Sequence, residues 1–520
     1  MKSHARQLFW NAILLSSASL LIRTVGVTFQ VYVSNRAGAE AMGLFSLMSG
    51  VYGFALTLAT SGIHLGVTRL VVDSIGEGRS ERIRPAMKRA TVYAILFGFL
   101  ASALLIGGAD IIGKIWLKDV RTVSSLRLLG ITLPLIALSS AWSGYFTAVR
   151  RPYKNAIVQV LEQTVKIFAT MQLLAWLLPY GVELTCCALV VGGVAAEAIS
   201  FFLEFGLYLA DRKKHFQKND CDSGKAEGKK LLSISLPIAF TTYIRSGLIT
   251  LQHILIPEGL RNSGASHAKA LIAYGSIHSM AMPIILYPAA LISSFSGLLV
   301  PELAESSVQK STVRIQYIIS RVWSLSLIFS IGVAGVLICF SNELGEALYP
   351  GTETAEYIRI LAPLIPIMYL DTATDAMMKG LGEQLHSMKI NIADALISVI
   401  LVWLLIPKYG IRGYIFAIYF SEFFNTVCSI THLLSISLTR VRLLKWIYKP
   451  LIAIVIATTV LGKVWSASYL YIPNKTLSII LHCTSTVLLY LLLLIVTRGL
   501  DKEDLQWIKQ LFSRKKLENG

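Results

Sequence analysis

The sequence predicts an all-α polytopic membrane protein with about 14 transmembrane helices. The chain has 520 residues, of which 54% are hydrophobic and only 15% are charged, whereas soluble domains are about 25% charged. Apolar windows of roughly 20 residues, the length that crosses a bilayer, recur along almost the whole chain. The breaks between these windows are short and polar or contain Pro and Gly, so no soluble domain is left over.

The net charge of +18 lies in the loops and alternates between them. Basic residues cluster after the second, fourth and sixth spans, whereas Ser341 to Glu356 carries only acids. By the positive-inside rule, both termini and the basic loop at 211–230 are expected in the cytoplasm. Lys114, Lys118 and Arg121 fall on the outer side in this scheme and are exceptions to it. Charges that alternate by side do not form one basic face, so no nucleic-acid partner is expected.

The first apolar run is expected to be a retained span. It is too long for a signal peptide, is interrupted by Arg23 and lacks a small-residue cleavage site. The six cysteines show no metal-ligand spacing, and we expect neither a metal nor a cofactor. The sequence contains no nucleophile constellation, and only 211–230 is a long loop, so we do not expect an enzyme.

An internal repeat divides most of the chain into two halves. LIRTVGVTFQVYV from Leu21 matches YIRSGLITLQHIL from Tyr243, and LRLLGITLPLI from Leu126 matches IRILAPLIPIM from Ile358. Each half holds about six spans, an even number, which makes the halves parallel repeats related by an axis along the membrane normal. The predicted regions are an N-lobe with helices 1 to 6 at 1–210, the cytoplasmic loop at 211–230, a C-lobe with helices 7 to 12 at 231–437, helices 13 and 14 at 438–498, and a tail at 499–520.

The repeat aligns Arg23 with Arg245 and Gln30 with Gln252, each near the middle of the first helix of its half. A charge at this depth costs several kcal/mol. Transporters built from such repeats bind substrate between the halves, near the midplane. Two cations suit an anionic ligand, and arginine binds phosphate bidentately. We therefore expect Arg23, Gln30, Arg245, Gln252 and Arg69 to bind substrate. The alternative is that each arginine pairs with a carboxylate on a neighbouring helix.

The stretch YLDTATDAMMKG places Asp371 and Asp375 four residues apart on one helical face. Intramembrane acids often bind Na⁺ or carry H⁺, so these two are predicted to couple transport to an ion. Pairing with Lys379 is the structural alternative. By the same spacing, Glu162 and Lys166 are expected to pair with each other.

Several stretches together resemble a known family. They are LIRTVG, NRAGAEAMGLFSL and SGIHLGVTRLVVD in the first half, and ILIPEGLRNSGAS, AYGSIHSMAMPIILYPAALISSFSGLLVPELAES and YGIRGYIFAIYFSE in the second. Over most of residues 1 to 437 the chain resembles the multidrug/oligosaccharidyl-lipid/polysaccharide exporter superfamily, and within it the stage V sporulation protein B type of polysaccharide flippase. The sequence departs at Glu258, where that family tends to carry a basic residue, and at His64, where it tends to carry proline.

The resemblance implies two six-helix lobes in a V shape plus two C-terminal helices, in the cell membrane of a bacterium. It also implies a flippase that moves a lipid-linked oligosaccharide or peptidoglycan precursor by alternating access, in cell-wall or polysaccharide biosynthesis or in sporulation. The runner-up is a cation-coupled multidrug or metabolite antiporter of the same fold. We expect a monomer. Its basic amphipathic stretch from Leu505 is expected to lie on anionic inner-leaflet lipids, and a solvated tail helix is the alternative.

Overall fold

The computed structural model describes residues 2–77, 79–215, 224–439, 441, 444–468 and 475–500, and all regular structure in them is helical. The α-helices are α1 (Lys2–Thr60), α2 (Ile63–Gly76), α3 (Ile83–Ile111), α4 (Thr122–Ala148), α5 (Pro152–Leu177), α6 (Val182–His215), α7 (Gly224–Asn262), α8 (His267–Gly275), α9 (Met282–Leu286), α10 (Ala289–Val308), α11 (Thr312–Cys339), α12 (Ser341–Leu348), α13 (Thr354–Leu361), α14 (Ile365–Gly380), α15 (Gln384–Tyr409), α16 (Ile411–Ser437), α17 (Lys449–Ser468) and α18 (Lys475–Val496).

Short 3₁₀ or π-helical turns connect or extend several of these helices. The 3₁₀ turns are Ser80–Arg82, Leu178–Tyr180 and Ala362–Leu364, and the π-helical turns are Ile112–Trp116, Ser276–Ala281 and Leu444–Tyr448. Residues 216–223 of the predicted loop at 211–230, and residues 501–520 of the predicted tail at 499–520, lie outside the described residues.

The prediction of an all-α polytopic membrane protein is confirmed. Within the described part of the chain, 10 helical segments are long and apolar enough to cross a bilayer. One of them, Leu20–Gly76, is 57 residues long, which at about 1.5 Å per residue is enough for more than one crossing. Helices α5, α10 and α16 are long enough but fall outside the ten, because their charged and polar residues lower their mean hydropathy. The count of fourteen therefore stays a prediction.

The first compact unit contains the residues up to Ser279 together with Ala395–Ala417. Helix α1 is bent at Gly38, whose φ of 81° is a conformation that glycine adopts readily. Beyond the bend, α1 packs backbone to backbone against α8. A Cβ atom on Gly43 would lie 2.0 Å from the carbonyl oxygen of Leu271, and one on Gly275 would lie 2.4 Å from that of Ala39. Small residues at such crossings let membrane helices approach closely.

The second compact unit contains Met280–Asp394 and the residues from Ile418 onward. Its core surrounds α11, where the buried Trp323 donates a hydrogen bond to Thr374 Oγ1 at 3.2 Å. Gly332 of α11 leaves room for the ring of Tyr490 on α18, and Gly335 leaves room for Ile454 on α17. Helices α17 and α18 lie where the sequence predicts helices 13 and 14, and they pack on this unit.

A buried carboxylate organises the segment between α3 and α4. Asp119 receives hydrogen bonds from Arg121 at 2.7 Å and from His267 Nε2 at 2.8 Å, and Arg121 also pairs with Glu40 at 2.9 Å. Burial by itself would raise the pKa of Asp119, but its hydrogen bonds with Arg121 and His267 hold the pKa below the ordinary value. The positive charge of Arg121 is therefore neutralised locally.

The other two exceptions to the charge rule are neutralised in the same way. Lys114 pairs with Asp110 at 2.8 Å, and Lys118 pairs with Glu258 of α7. Glu258 is also the position at which the sequence departs from the family it resembles, and the pair with Lys118 gives the acid a physical role. Each of the three basic residues that are exceptions to the predicted orientation therefore has an acidic partner.

Candidate functional site

A cavity of ≈ 330 Å³ lies in the first unit and is lined by α1, α5 and α6. We call it the cationic cavity, because its two charged lining residues, Arg23 and Lys166, are both basic. Its other polar lining residues are Gln30, Gln163 and Thr170. Two positive groups with amide and hydroxyl donors, and no acid among the described lining residues, are chemically suited to an anion.

Helical spacing brings these side chains to one place. Arg23 and Gln30 are seven residues apart, so they lie on the same face of α1 two turns apart. On α5, Gln163, Lys166 and Thr170 follow an i, i+3, i+7 pattern and share a face in the same way. Gly26 of α1 presents no side chain between the two helices. The nearest atom to a Cβ placed there would be Nε2 of Gln163, at 3.7 Å.

Several groups in the cavity retain hydrogen-bonding capacity for a ligand. Among the residues that the structure describes, Lys166 forms no ion pair, although it is half-buried. Thr170 is 1% exposed, and none of the described residues forms a hydrogen bond with its hydroxyl. Gln30 is held in place by a hydrogen bond from its amide nitrogen to the backbone oxygen of Ser279 at 2.8 Å. The cavity therefore offers several hydrogen-bonding groups to a ligand, and one of them, Gln30, is held in position by the protein.

Comparison with known proteins identifies the family. The family model described as polysaccharide biosynthesis protein matches residues 8–306, more than half of the chain. The chain belongs to this family. A second family model, MatE, matches residues 263–404. The resemblance to the multidrug/oligosaccharidyl-lipid/polysaccharide exporter superfamily is thereby confirmed, and the chain is a multi-pass membrane transport protein.

Relatives of the polysaccharide biosynthesis protein family match along most of the chain. Stage V sporulation protein B of Bacillus subtilis (strain 168) is 24% identical over 517 residues, covering 97% of this chain and 98% of the relative. Among solved structures, a lipid II flippase MurJ in an inward closed conformation aligns with a TM-score of 0.69 at 14% identity, covering 94% of this chain and 99% of that one. An inward-facing multidrug resistance MATE family transporter aligns with a TM-score of 0.63 at 14% identity, covering 82% and 97%. The two structures establish the shared fold.

The predicted substrate residues fall in two groups. Arg23 and Gln30 line the cationic cavity, whereas Arg245, Gln252 and Arg69 do not. Arg245 and Arg69 are exposed on α7 and α2, and Gln252 is half-buried on α7. The structure thus brings two of the five residues together, and a role for the other three stays a prediction.

Sequence reasoning missed Lys166, Gln163 and Thr170. No direct ion pair joins Glu162 and Lys166 among the described residues, and the predicted pair is present only as a longer-range electrostatic attraction. Glu162 lines a different cavity, so the two side chains diverge although they are one turn apart on α5. The signal that could have found the three missed residues is their helical periodicity on an otherwise apolar span.

The two predicted ion-coupling residues have different surroundings in the second unit. Asp375 pairs with Lys379 at 2.6 Å and accepts a hydrogen bond from Ser387. Asp371 instead faces α16, where Nδ2 of Asn425 donates to it at 3.2 Å. The ion pair with Lys379, which is the structural alternative to ion coupling, is therefore present at Asp375.

Two further acids lie near Asp371. Ser421 donates a hydrogen bond to Asp394 of α15, and Glu422 of α16 is close enough to Asp371 and Asp394 to interact electrostatically with both. Asn425 is buried, and its side-chain oxygen has no hydrogen-bond partner among the residues with described positions. Like charges gathered in a poorly solvated place favour uptake of a cation or a proton.

Proposed function

We propose that this protein is a flippase that moves a polyprenyl-diphosphate-linked glycan or peptidoglycan precursor from the inner to the outer leaflet by alternating access. The observation that carries the proposal is the cationic cavity, in which Arg23 and Lys166 face one space with no acid among its lining residues. The named relative and the two structural neighbours are consistent with transport rather than with an enzyme.

A diphosphate suits the groups of the cationic cavity. The planar guanidinium of Arg23 binds phosphate oxygens bidentately, and Lys166 adds a compact second charge. The amides of Gln30 and Gln163 and the hydroxyl of Thr170 are neutral groups that can complete the hydrogen bonding. At ≈ 330 Å³, the cavity has room for a diphosphate and the beginning of its substituents, since small-molecule sites occupy about 300 to 1,000 Å³. In this proposal, Arg245, Gln252 and Arg69 contact the substrate at other stages of transport.

The acids of the second unit are proposed to couple transport to Na⁺ or H⁺. Asp371 is placed with Asp394 and Glu422, and carboxylates with an amide oxygen are ligands that suit a hard cation. Asp375, the second predicted ion-coupling residue, would contribute to coupling through its ion pair with Lys379. The proposal also keeps the predicted topology, with both termini in the cytoplasm, the tail on anionic inner-leaflet lipids and the protein as a monomer.

A cation-coupled multidrug or metabolite antiporter is the second candidate. The acid group around Asp371 supports it, because carboxylates are the groups expected to hold a cationic substrate or its coupling ion. The MATE transporter with the same fold is described as a multidrug resistance protein.

Transport by the reconstituted full-length protein separates the two candidates. Liposomes would be supplied with fluorescent polyprenyl-diphosphate-linked sugars or with cationic dyes, and appearance of each on the opposite side would be measured. The flippase proposal expects the lipid-linked sugars to cross and Arg23→Ala to stop them. Arg36→Ala is the matched control, because Arg36 is on the same helix, lies over the ring of Tyr32 at 5.7 Å and does not line the cavity. If only the cationic dyes cross, the result would contradict the flippase proposal and support the antiporter.

A further inference from the structure

A second cavity of the first unit has the opposite charge. It measures ≈ 370 Å³ and lies between α1, α4, α5 and α6. We call it the acidic cavity, because its charged lining residues are Glu162, Glu197 and Glu204. Glu197 and Glu204 are seven residues apart, so α6 presents both from one face, and Glu162 comes from the neighbouring helix α5.

One carboxylate of the acidic cavity is deeply buried and incompletely satisfied. Glu204 is 6% exposed, and its Oε2 atom has no hydrogen-bond partner in the part of the chain that the structure describes. Among the described residues, none of the three glutamates forms an ion pair. A buried polar atom without a partner costs about 1 to 3 kcal/mol, and more when it is charged. A ligand that donates hydrogen bonds or brings positive charge would remove that cost.

The remaining lining is rich in hydroxyl groups. Helix α4 contributes a run of serines, and the other helices contribute further hydroxyls and an amide: Ser139, Ser140, Ser143, Ser200, Thr57, Thr60 and Gln159. Part of this capacity is already used, since Thr57 donates to the backbone of Gly53 at 2.8 Å and Thr60 to that of Leu56 at 3.0 Å. Hydroxyl groups with carboxylates can bind a polar group that carries several donors.

The acidic and cationic cavities follow one another along the same helices. On α5, Val158, Gln159 and Glu162 line the acidic cavity, and the next residues on the helix line the cationic one. Glu162 and Lys166 are one helical turn apart, about 6 Å along the axis, yet they point into different cavities. A ligand spanning both would have to carry a negative group and a positive group separated by roughly the length of one sugar or amino acid.

We propose that the acidic cavity binds a positively charged amine on the glycan or peptide portion of the transported molecule, while the cationic cavity binds its diphosphate. This inference rests on the proposed flippase function and narrows its substrate to lipid diphosphates with an amine-bearing headgroup. The volume favours such a group over a bare metal cation. At ≈ 370 Å³ the cavity is in the size range of small-molecule sites, about 300 to 1,000 Å³, so it has room for an ammonium group together with the ring or chain that carries it.

A pair of probes that differ only at the amine tests the inference. Binding of polyprenyl diphosphate-linked glucosamine and of the same compound with N-acetylglucosamine would be measured on the solubilised full-length protein. The amine probe should bind about tenfold to a hundredfold more tightly, as expected for hydrogen bonds to a charged group. Glu204→Gln should abolish this preference and leave the affinity for the acetylated probe unchanged. Glu183→Gln, an exposed acid in the first turn of the same helix, should keep the preference.

The other outcomes are distinguishable. Equal binding of both probes by the wild-type protein would overturn the amine subsite and leave the proposed function intact. If neither probe binds, the proposed function and this inference fail together. Sodium binding that Glu204→Gln removes, without any amine preference, would assign the cavity to a metal cation and also overturn the inference. If Glu204→Gln lowers the melting temperature, Glu197→Gln repeats the comparison at a half-buried carboxylate.

Discussion

At the scale of single residues, Asp119 shows how this protein keeps charge in an apolar setting. Its side chain is 4% exposed, and it remains ionised because Arg121 and His267 both contact it. Arg261 Nη1 lies 3.2 Å from Nδ1 of this histidine. A guanidinium can only donate, so Nδ1 accepts and the proton of a neutral His267 sits on Nε2, facing Asp119.

The depressed pKa of Asp119 predicts an acid-sensitive contribution to stability. A carboxyl group whose pKa is lower in the folded than in the unfolded protein stabilises the fold above its ordinary pKa, about 3.9, and that stabilisation is lost as the pH falls through the folded value. Asp119→Asn should lower the stability of the detergent-solubilised protein at pH 7 by about 1 to 3 kcal/mol. As the pH is lowered, the melting temperature of this variant should also fall less steeply than that of the wild-type protein. Asp110→Asn, in an exposed ion pair with Lys114, should change little, and an equal loss in both variants would contradict the role of burial.

At the scale of helices, the close crossing of α1 and α8 predicts a steric effect. Because a Cβ at Gly43 would lie 2.0 Å from the backbone oxygen of Leu271, Gly43→Ala must push the two helices apart. Overpacking of this kind costs about 1 to 3 kcal/mol, and the melting temperature should fall. Gly53→Ala on the same helix meets no atom within 4 Å and should leave it unchanged or slightly raised. A harmless Gly43→Ala would mean that the crossing is not close.

Helix α14 carries Asp371 and Asp375, for which the sequence predicts the same role but which have different surroundings in the structure. If Asp371 binds the coupling cation with Asp394 and Glu422, Asp371→Asn should abolish the dependence of transport on a Na⁺ or H⁺ gradient. Asp375→Asn should mainly disturb the ion pair with Lys379 and lower thermal stability. Transport in liposomes with imposed gradients measures the first effect. Gradient dependence that survives Asp371→Asn would assign this acid to structure.

Helix α5 explains what could and could not be predicted from the sequence. The length of α5 can be predicted from the sequence, because the bilayer sets the length of a span. The repeat of Arg23 and Gln30 of α1 elsewhere in the chain can also be recognised, because a repeat preserves spacing. That Glu162 and Lys166 face different cavities is not visible, since spacing along one helix does not say which neighbours surround it. The same holds for Glu204, whose burial depends on α1, α4 and α5 rather than on its own helix.

At the scale of the whole molecule, the charge pattern predicts an orientation. Cysteine substitutions at Ser223 and Asn342 in a cysteine-free background report on two positions that the positive-inside rule places on opposite sides of the membrane. An impermeant thiol reagent applied to intact cells should label only the Asn342 variant, and both variants should be labelled after lysis. Labelling of the Ser223 variant in intact cells would reverse the orientation.

The transport function as a whole depends on whether the cationic cavity holds a diphosphate, and direct binding tests this. Affinity for a polyprenyl diphosphate and melting temperature would be measured on the same solubilised full-length variants. Arg23→Ala and Lys166→Gln should each weaken binding about tenfold to a hundredfold, Arg23→Lys should weaken it less, and Arg36→Ala should leave it unchanged. The melting temperatures should stay near that of the wild-type protein. Undiminished binding in Arg23→Ala and Lys166→Gln, with a collapsed melting temperature, would contradict the substrate role and make both residues structural.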